Sequence, residues 1–104
     1  MHVQLSYRNV DHSEKIDRLV DAEAHKLEKF FARATGCRVL VERSHGRRES
    51  EYSVRIDIAV PGEELAITHE PADAPHKDLQ LAVRDAFRKA ARRLQDYARR
   101  KRGS

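Results

Sequence analysis

The segment EYSVRIDIAV, residues 51–60, constrains the fold more than any other part of the chain, because its apolar and polar residues alternate almost without interruption. A period of two residues is typical of a β-strand that buries one face and leaves the other in water. The residues on the apolar face are Tyr52, Val54, Ile56, Ile58 and Val60. A sheet made of such strands has to cover that face with other elements of the same chain.

Three other segments alternate in the same way and predict further strands: VQLSY (3–7), CRVLVER (37–43) and ELAITHE (64–70). Pro61 and Gly62 precede the last of these as a tight turn, since proline presets its own φ and glycine accepts a positive φ. Cys37 shares a strand face with Val39 and Val41, which predicts a buried side chain rather than a nucleophile.

Two segments follow the 3.6-residue period of amphipathic helices. The first runs from Ile16 to Phe31, with Asp11 or Ser13 as its N-cap and Gly36 beyond its end. Its predicted apolar stripe consists of Ile16, Leu19, Val20, Ala24, Leu27, Phe30 and Phe31. The second helix covers residues 78–100 and follows a loop at 70–76, whereas the polar segment SHGRRES, residues 44–50, predicts a turn between strands.

The order of elements is therefore β-α-β-β-β-α, which predicts an α+β fold with a four-stranded mixed sheet. The first helix is expected to join two parallel strands by a right-handed crossover, and the later strands to form an antiparallel meander. Both helices are expected to pack on the one apolar sheet face. We expect a single domain over residues 1–100 and a short, disordered basic tail at 101–104.

The composition argues against membrane and secreted proteins. No apolar run approaches the ~20 residues that a membrane span needs, and the N-terminus lacks the pattern of a secretory signal. The chain contains 1 cysteine, which cannot form an internal disulfide and fits a reducing compartment. We therefore expect a cytoplasmic protein.

Catalytic and metal-binding patterns are also missing from the sequence. None of the 6 histidines has another at i+3 or i+4 on a predicted helix, and 1 cysteine is too few for a structural zinc site. Ser44 and His45 lack a placed carboxylate partner, and Glu23 is expected to be a structural carboxylate at the edge of the first helix. The sequence predicts surface histidines, no metal, no cofactor and no enzymatic activity.

Positive charge is concentrated near the C-terminus. From Lys77 onward there are ten basic and three acidic residues, a net charge of +7 in a chain whose total is +4. On a helical projection the apolar half of the last helix contains Leu79, Val83, Ala86, Phe87, Ala90, Leu94, Tyr97 and Ala98. The opposite half carries one row of Arg84, Arg88, Arg92 and Arg99 and a neighbouring row of Lys89, Arg93 and Arg100. Because these rows consist of arginine and lysine and only Asp85 and Asp96 interrupt them, they are expected to bind an anion.

The first helix is sorted by charge as well. One flank of its apolar stripe carries Lys15, Arg18, Lys26, Lys29 and Arg33, and the other carries Glu14, Asp17, Asp21 and Glu28. If the basic flank lies beside the last helix, the two helices form a single positive surface. If the acidic flank lies there, it neutralises the arginines, and the helical period is compatible with both arrangements.

Nucleic acid is the leading candidate for an anionic partner, since arginine can contact phosphate through two parallel hydrogen bonds. A general double-stranded RNA or DNA binder would use the same face. A third hypothesis is a protein-interaction module whose basic helix docks on an acidic partner.

Several segments in this order resemble the ribosome hibernation-promoting factor family, which includes the ribosome-associated inhibitor and was formerly described as sigma-54 modulation proteins. The matching runs are LSYRNVDHSEKI, HKLEKFF, CRVLVE, YSVRIDIAVPGEEL and DLQLAVRDAFRKAARRLQDYARR. The resemblance covers nearly the whole chain. It implies the β-α-β-β-β-α fold, similar to double-stranded-RNA-binding domains, and binding in the channel between head and body of the small ribosomal subunit. There the family occupies the space of messenger and transfer RNA and silences idle ribosomes under stress or in stationary phase.

The resemblance also assigns residues to RNA contacts. By motif match these are Lys26 in HKLEKF, and Lys89 and Arg92 in FRKAARRL. The helical projection extends the assignment to Lys29, Arg84, Arg88, Arg93, Arg99 and Arg100. The implied partner is small-subunit ribosomal RNA, and the free protein is expected to be a monomer.

The chain departs from the family pattern in three places. Gln80 stands where a tyrosine is common, Asp17 stands where a basic residue is common, and the loop over residues 70–77 is longer. The resemblance is greatest to the short form of the family, which implies pairing of ribosomes with the help of a partner protein.

Overall fold

A computed structural model describes residues 1–43, 51–70 and 78–102 of the chain. The elements follow the predicted order β-α-β-β-β-α. They are β1 (His2–Arg8), α1 (Glu14–Leu27), β2 (Gly36–Arg43), β3 (Tyr52–Val60), β4 (Glu63–His69) and α2 (Leu79–Arg102). The predicted fold class is confirmed. The predicted turn at 44–50 and most of the loop before α2 lie outside the described residues.

The four strands form one mixed sheet in the order β1-β2-β3-β4. β1 pairs in parallel with β2, which α1 makes possible by carrying the chain back across the sheet, and the other two pairings are antiparallel. The register aligns apolar residues in rows across the strands. One row consists of Leu5, Val39, Ile56 and Ile67.

The core lies between this apolar sheet face and the two helices. A single cluster joins Val39, Ile56 and Leu65 of the sheet with Val20 of α1 and Leu94 of α2. The opposite sheet face bears polar side chains such as Arg38 and Arg55, which are exposed. Both helices therefore pack on the same face, as predicted, and their remaining sides are available to solvent. None of the helices in the described ranges is long and apolar enough to cross a membrane.

α1 begins where predicted but ends one turn early. Ser13 is the N-cap, and its hydroxyl oxygen accepts a hydrogen bond from the backbone N–H of Ile16 at 3.3 Å. The predicted end at Phe31 is wrong, because the helix stops at Leu27 and tighter i→i+3 bonds follow, including one from Phe30 N to the Leu27 oxygen at 3.0 Å. Phe30 consequently leaves the apolar stripe and is 38% exposed.

α2 extends beyond its predicted C-terminus. Asp78 precedes the helix and accepts a hydrogen bond from the backbone N–H of Gln80 at 2.9 Å, which agrees with the predicted start. We expected Lys101 and Arg102 in a tail, but both are helical. The Lys101 ammonium lies 5.5 Å from the centre of the Tyr97 ring, a cation–π contact that supports this last turn.

His69 is not a surface histidine, and that prediction is wrong. It is 2% exposed and lies opposite Val54, in the sheet row that also contains Tyr7 and Val41. The strict alternation of β4 continues from Leu65 and Ile67 to residue 69, so the same pattern that identified the strand could have placed this histidine inside.

The turn between β3 and β4 consists of Pro61 and Gly62 and depends on the glycine. Gly62 has φ +82°, and a Cβ there would meet nothing within 4 Å. A side chain would therefore be strained by the backbone conformation alone, and we expect Gly62→Ala to lower the free energy of unfolding by about 1–2 kcal/mol. Urea denaturation measures this. Gly62→Asn, which tolerates the left-handed region better, should lose less, and an alanine variant as stable as the parent would contradict the argument.

Candidate nucleic-acid interface

α2 divides cleanly into a buried side and a basic side. Its buried residues are Ala82, Val83, Ala86, Phe87, Ala90, Leu94, Tyr97 and Ala98. Seven of the nine predicted RNA-contact residues are exposed: Lys26, Lys29, Arg84, Arg88, Arg92, Arg99 and Arg100. Lys89 and Arg93 are half-buried. The helical projection therefore orients the rows correctly and overstates the exposure of two side chains.

The basic flank of α1 lies beside α2. Lys26, Lys29 and the adjacent Phe30 face α2, whereas the acidic flank lies toward β1, where the Glu28 carboxylate is 3.3 Å from the amino group of Met1. Of the two arrangements that the sequence left open, the structure has the one with a joined positive surface. The reason is the crossover, which places α1 against β1 while α2 covers β3 and β4.

The two helices enclose an interhelical groove made of two adjacent hollows. The first has a volume of about 270 Å³ and is lined by Glu23, Lys26, Leu27, Phe30, Arg84, Phe87, Arg88 and Ala91. The second has a volume of about 390 Å³ and is lined by Lys29, Phe30, Gln95, Ala98, Arg99 and Arg102. Cations from both helices thus line a single depression, which suits a polyanion that passes between them.

The other predicted residues lie away from this groove. Lys89 is on the side of α2 that faces β4, and its ammonium donates a hydrogen bond to the carbonyl oxygen of Thr68 at 3.5 Å. Arg93 and Arg100 line another hollow of about 420 Å³ together with Asp96 and Arg99, so Arg99 borders both this hollow and the groove. Arg92 is exposed and lines neither hollow of the groove. The nine residues are therefore distributed over the groove and a second basic flank of α2, with Arg92 exposed between them.

Three of the cations form ion pairs with acidic neighbours. Arg88 lies 2.6 Å from Asp85, Arg99 lies 3.9 Å from Asp96, and Lys26 lies 3.4 Å from Glu23. All three pairs have i,i+3 spacing on a helix. Exposed pairs of this kind contribute little to stability, so each cation can exchange its partner for a phosphate at small cost. Glu23 lies at the edge of the groove, paired with Lys26.

Sequence reasoning missed two residues of the groove. Arg102 was assigned to the tail, although it follows Arg99 by three residues and continues the same row. Gln95 continues the row from Arg88 and Arg92 with helical spacing and was overlooked because it carries no charge. A search for helical spacing that ignored charge would have found both.

Cys37 is buried, as predicted, and burial raises the pKa of its thiol to about 12, with the Asp57 carboxylate adding to the effect. A thiol with such a pKa stays protonated near neutral pH and is a poor nucleophile. Within the described ranges, no group of three or more metal-ligating side chains comes together. Two of the histidines, His45 and His76, lie outside those ranges.

Asp17, which departs from the family pattern, has a structural partner at the sheet edge. The Tyr7 hydroxyl donates a hydrogen bond to Asp17 Oδ1 at 2.8 Å and to the Ser13 carbonyl oxygen at 3.0 Å, and His12 Nε2 lies against Asp17 Oδ2. The pKa of Tyr7 is raised to about 12, mainly by burial and secondly by the hydrogen bond to Asp17. The hydrogen bond from Tyr7 is also the main cause that lowers the pKa of Asp17, and the contact with His12 lowers it further. Asp17 therefore tethers the start of α1 to β1 and lies away from the groove.

This contact has a pH dependence that can be measured. Because the folded-state pKa of Asp17 is below its unfolded value, the stabilisation is complete above about pH 4 and is lost as the pH falls through the folded value. We expect Tyr7→Phe to raise the pKa of Asp17 and to weaken this acid dependence of stability. Carboxyl-carbon NMR titration measures the pKa. Tyr52→Phe, which removes a hydroxyl elsewhere, should leave it unchanged, and an unaltered Asp17 pKa in Tyr7→Phe would contradict the assignment.

Comparison with known proteins places this geometry in a wider context. Two solved structures share the fold over 93% of this chain. A ribosomal subunit interface protein from Coxiella burnetii superposes with a TM-score of 0.76 at 18% identity over 97% of its own chain. The N-terminal domain of Protein Y from Thermus thermophilus superposes with a TM-score of 0.75 at 15% identity over 99% of its chain.

Among curated proteins, none matches the chain significantly by sequence. A family pattern, in contrast, matches residues 3–102. This range includes both helices and all four strands except His2, the first residue of β1. Its description is sigma 54 modulation protein / S30EA ribosomal protein, in agreement with the resemblance seen in the sequence. The chain belongs to the family of sigma 54 modulation proteins and S30EA ribosomal proteins.

Proposed function

We propose that this protein is a non-catalytic, ribosome-associated translation inhibitor that binds small-subunit ribosomal RNA in the channel for messenger and transfer RNA. By occupying that channel in the cytoplasm it promotes ribosome hibernation under stress or in stationary phase. Membership of a family that includes S30EA ribosomal proteins supports ribosome association. The name of a structural neighbour, a ribosomal subunit interface protein, is consistent with a position between the subunits.

The observation that carries the proposal is the interhelical groove, in which Lys26 and Lys29 lie across from Arg84, Arg88 and Arg99. Like charges repel, so a fold that places them on both sides of one depression gains from an anion that neutralises them. RNA supplies phosphates at regular intervals along a strand, which matches cations distributed over several helical turns. Occupancy alone blocks a channel, so the proposal requires binding and no reaction.

The proposed contacts comprise both basic surfaces. The groove cations are the primary contacts, and Lys89, Arg92, Arg93 and Arg100 extend the surface along α2 toward β4. We propose that the free protein is a monomer of 12.0 kDa and that one copy binds each small subunit. Light scattering of the free protein tests its mass, and a dimer in solution would contradict this part of the proposal.

Cosedimentation with purified small ribosomal subunits tests the function directly. We expect the protein to move with the subunits at low and moderate salt and to be displaced by transfer RNA, because both need the same channel. Absence of cosedimentation at either salt concentration would refute the proposal. If transfer RNA does not displace the bound protein, the protein binds elsewhere on the subunit.

A competitor of generic double-stranded RNA serves as the control for specificity. If the protein reads the shape of the ribosomal channel, duplex RNA at equal phosphate concentration should displace it far less effectively than free small subunits do. Equal displacement would favour a general nucleic-acid binder. A complex that survives nuclease treatment would favour an acidic protein partner.

A further inference from the structure

Phe30 is a partly exposed aromatic side chain at the centre of a basic groove, where it borders both hollows. Because α1 ends at Leu27, Phe30 points out of the helical stripe and is 38% exposed. The neighbouring Phe31 already anchors this segment, with its ring 5.1 Å from that of Tyr97 in an edge-to-face arrangement. Exposed apolar area costs free energy in water, so an aromatic ring kept in this position gains most if a ligand covers it.

The two hollows beside Phe30 differ in what they offer a ligand. The first contains the carboxylate of Glu23, which repels phosphate, and it is the smaller of the two at about 270 Å³. The second, at about 390 Å³, contains the side-chain amide of Gln95 together with the cations Lys29, Arg99 and Arg102. This volume lies within the range of about 300–1,000 Å³ that is typical of small-ligand sites. The second hollow thus combines an aromatic face, an amide that can donate and accept hydrogen bonds, and positive charge.

These three features match the three parts of one nucleotide. An aromatic ring stacks on the face of a base, an amide bonds to a base edge, and lysine or arginine binds the phosphate. A base within a duplex cannot reach the ring, because it is stacked between its neighbours. Helical RNA is therefore recognised mainly by shape and backbone, while unpaired nucleotides are recognised by stacking.

We propose that Phe30 is the stacking platform for one unpaired nucleotide of the bound RNA, whose base occupies the second hollow. This inference rests on the proposed function and specifies which part of the RNA the groove recognises. Gln95 faces the edge of the base, and Lys29 and Arg99 hold the adjoining phosphates. Stacking makes the site selective for a loop or bulge over a continuous duplex.

Affinity for small subunits measures the contribution of the ring. Base–aromatic stacking corresponds to about a 5- to 150-fold change in affinity, so we expect Phe30→Leu to weaken binding within that range. Phe30→Tyr keeps the ring and should bind like the parent. Because no cation is removed, the dependence of affinity on salt should have the same slope in all three proteins. Equal affinities of the parent and Phe30→Leu, or equal weakening by leucine and tyrosine, would refute the stacking role.

The two proposals fail in different ways in this experiment. If the parent protein does not bind small subunits, the proposed function is wrong. If the parent binds and Phe30→Leu binds equally well, only the stacking site is wrong. Thermal denaturation of Phe30→Leu checks the fold, and we expect at most a small change in midpoint, because leucine keeps an apolar side chain at this partly exposed position.

A fluorescence measurement tests stacking without relying on affinity. The chain contains no tryptophan, so Phe30→Trp introduces a single indole into the groove. Leu81→Trp is the matched control. Leu81 is 46% exposed on the basic side of α2 and lines neither hollow of the groove. We expect small subunits at saturation to quench the indole at position 30 strongly and the one at position 81 much less. Equal quenching at both positions would overturn the proposal.

Discussion

We expect the simultaneous replacement of Lys29, Arg84 and Arg99 by glutamine to weaken the proposed binding to small ribosomal subunits by about 100- to 500-fold at about 0.1 M salt. Each phosphate contact releases counterions from the nucleic acid, and its loss lowers the slope of log affinity against log salt by about 0.7 to 0.9. Three lost contacts therefore lower the slope by about 2 to 3 units. Cosedimentation across a salt series measures both quantities, and circular dichroism verifies that the variant is folded.

The second basic flank provides a control with the same loss of charge. Lys89, Arg93 and Arg100 are three cations of α2 that line neither hollow of the groove, and the Lys89 ammonium donates a hydrogen bond to the carbonyl oxygen of Thr68 in β4. We expect their replacement by glutamine to weaken binding at least tenfold less than the groove variant. An equal or larger effect would move the primary interface to this flank and away from the groove.

Leu94→Ala is expected to have the largest effect on stability. Leu94 is 0% exposed on the side of α2 that packs on the sheet. Truncating a buried leucine costs about 2–5 kcal/mol, because the removed methyl groups lose their contacts and leave a cavity. That is a large share of the roughly 5–15 kcal/mol that holds a typical domain folded. Denaturant unfolding at equilibrium measures the loss.

The matched control is the same substitution on the other side of the same helix. Leu81 is 46% exposed, so Leu81→Ala should change the free energy of unfolding by less than about 0.5 kcal/mol. Both substitutions have the same effect on intrinsic helix propensity, so the difference between them reports tertiary packing alone. Similar losses in the two variants would mean that α2 does not pack on the sheet as described.

The elements with a regular period could be predicted from the sequence, and those without one could not. β3 was predicted completely, because alternation over residues 52–60 excludes any other regular structure. The predicted end of α1 was wrong, because Phe30 and Phe31 continue the apolar pattern for one turn after the helix has ended at Leu27. His69 was misplaced because residue type was given more weight than strand register.

The candidate site was predicted as a set of residues but not as a shape. The rows on α2 follow from the helical period, so Arg84, Arg88 and Arg99 were assigned correctly to the exposed side. Lys89 was placed in the neighbouring row but assigned to the same RNA contacts, because only the position of β4 shows that its ammonium reaches Thr68. Phe30 was assigned to the core, and its place between two hollows depends on how α1 ends and where α2 lies.

The amino-acid sequence by itself determined the order of elements, the apolar face of each and the basic character of α2. These properties depend on residues close together in the chain, whose spacing sets which side of a helix or strand they occupy. The tertiary structure alone decided that the basic flank of α1 lies beside α2 and that the acidic flank lies toward β1. That choice depends on the crossover above the sheet, which brings together helices that are distant in sequence, and it turns two charged helices into one groove.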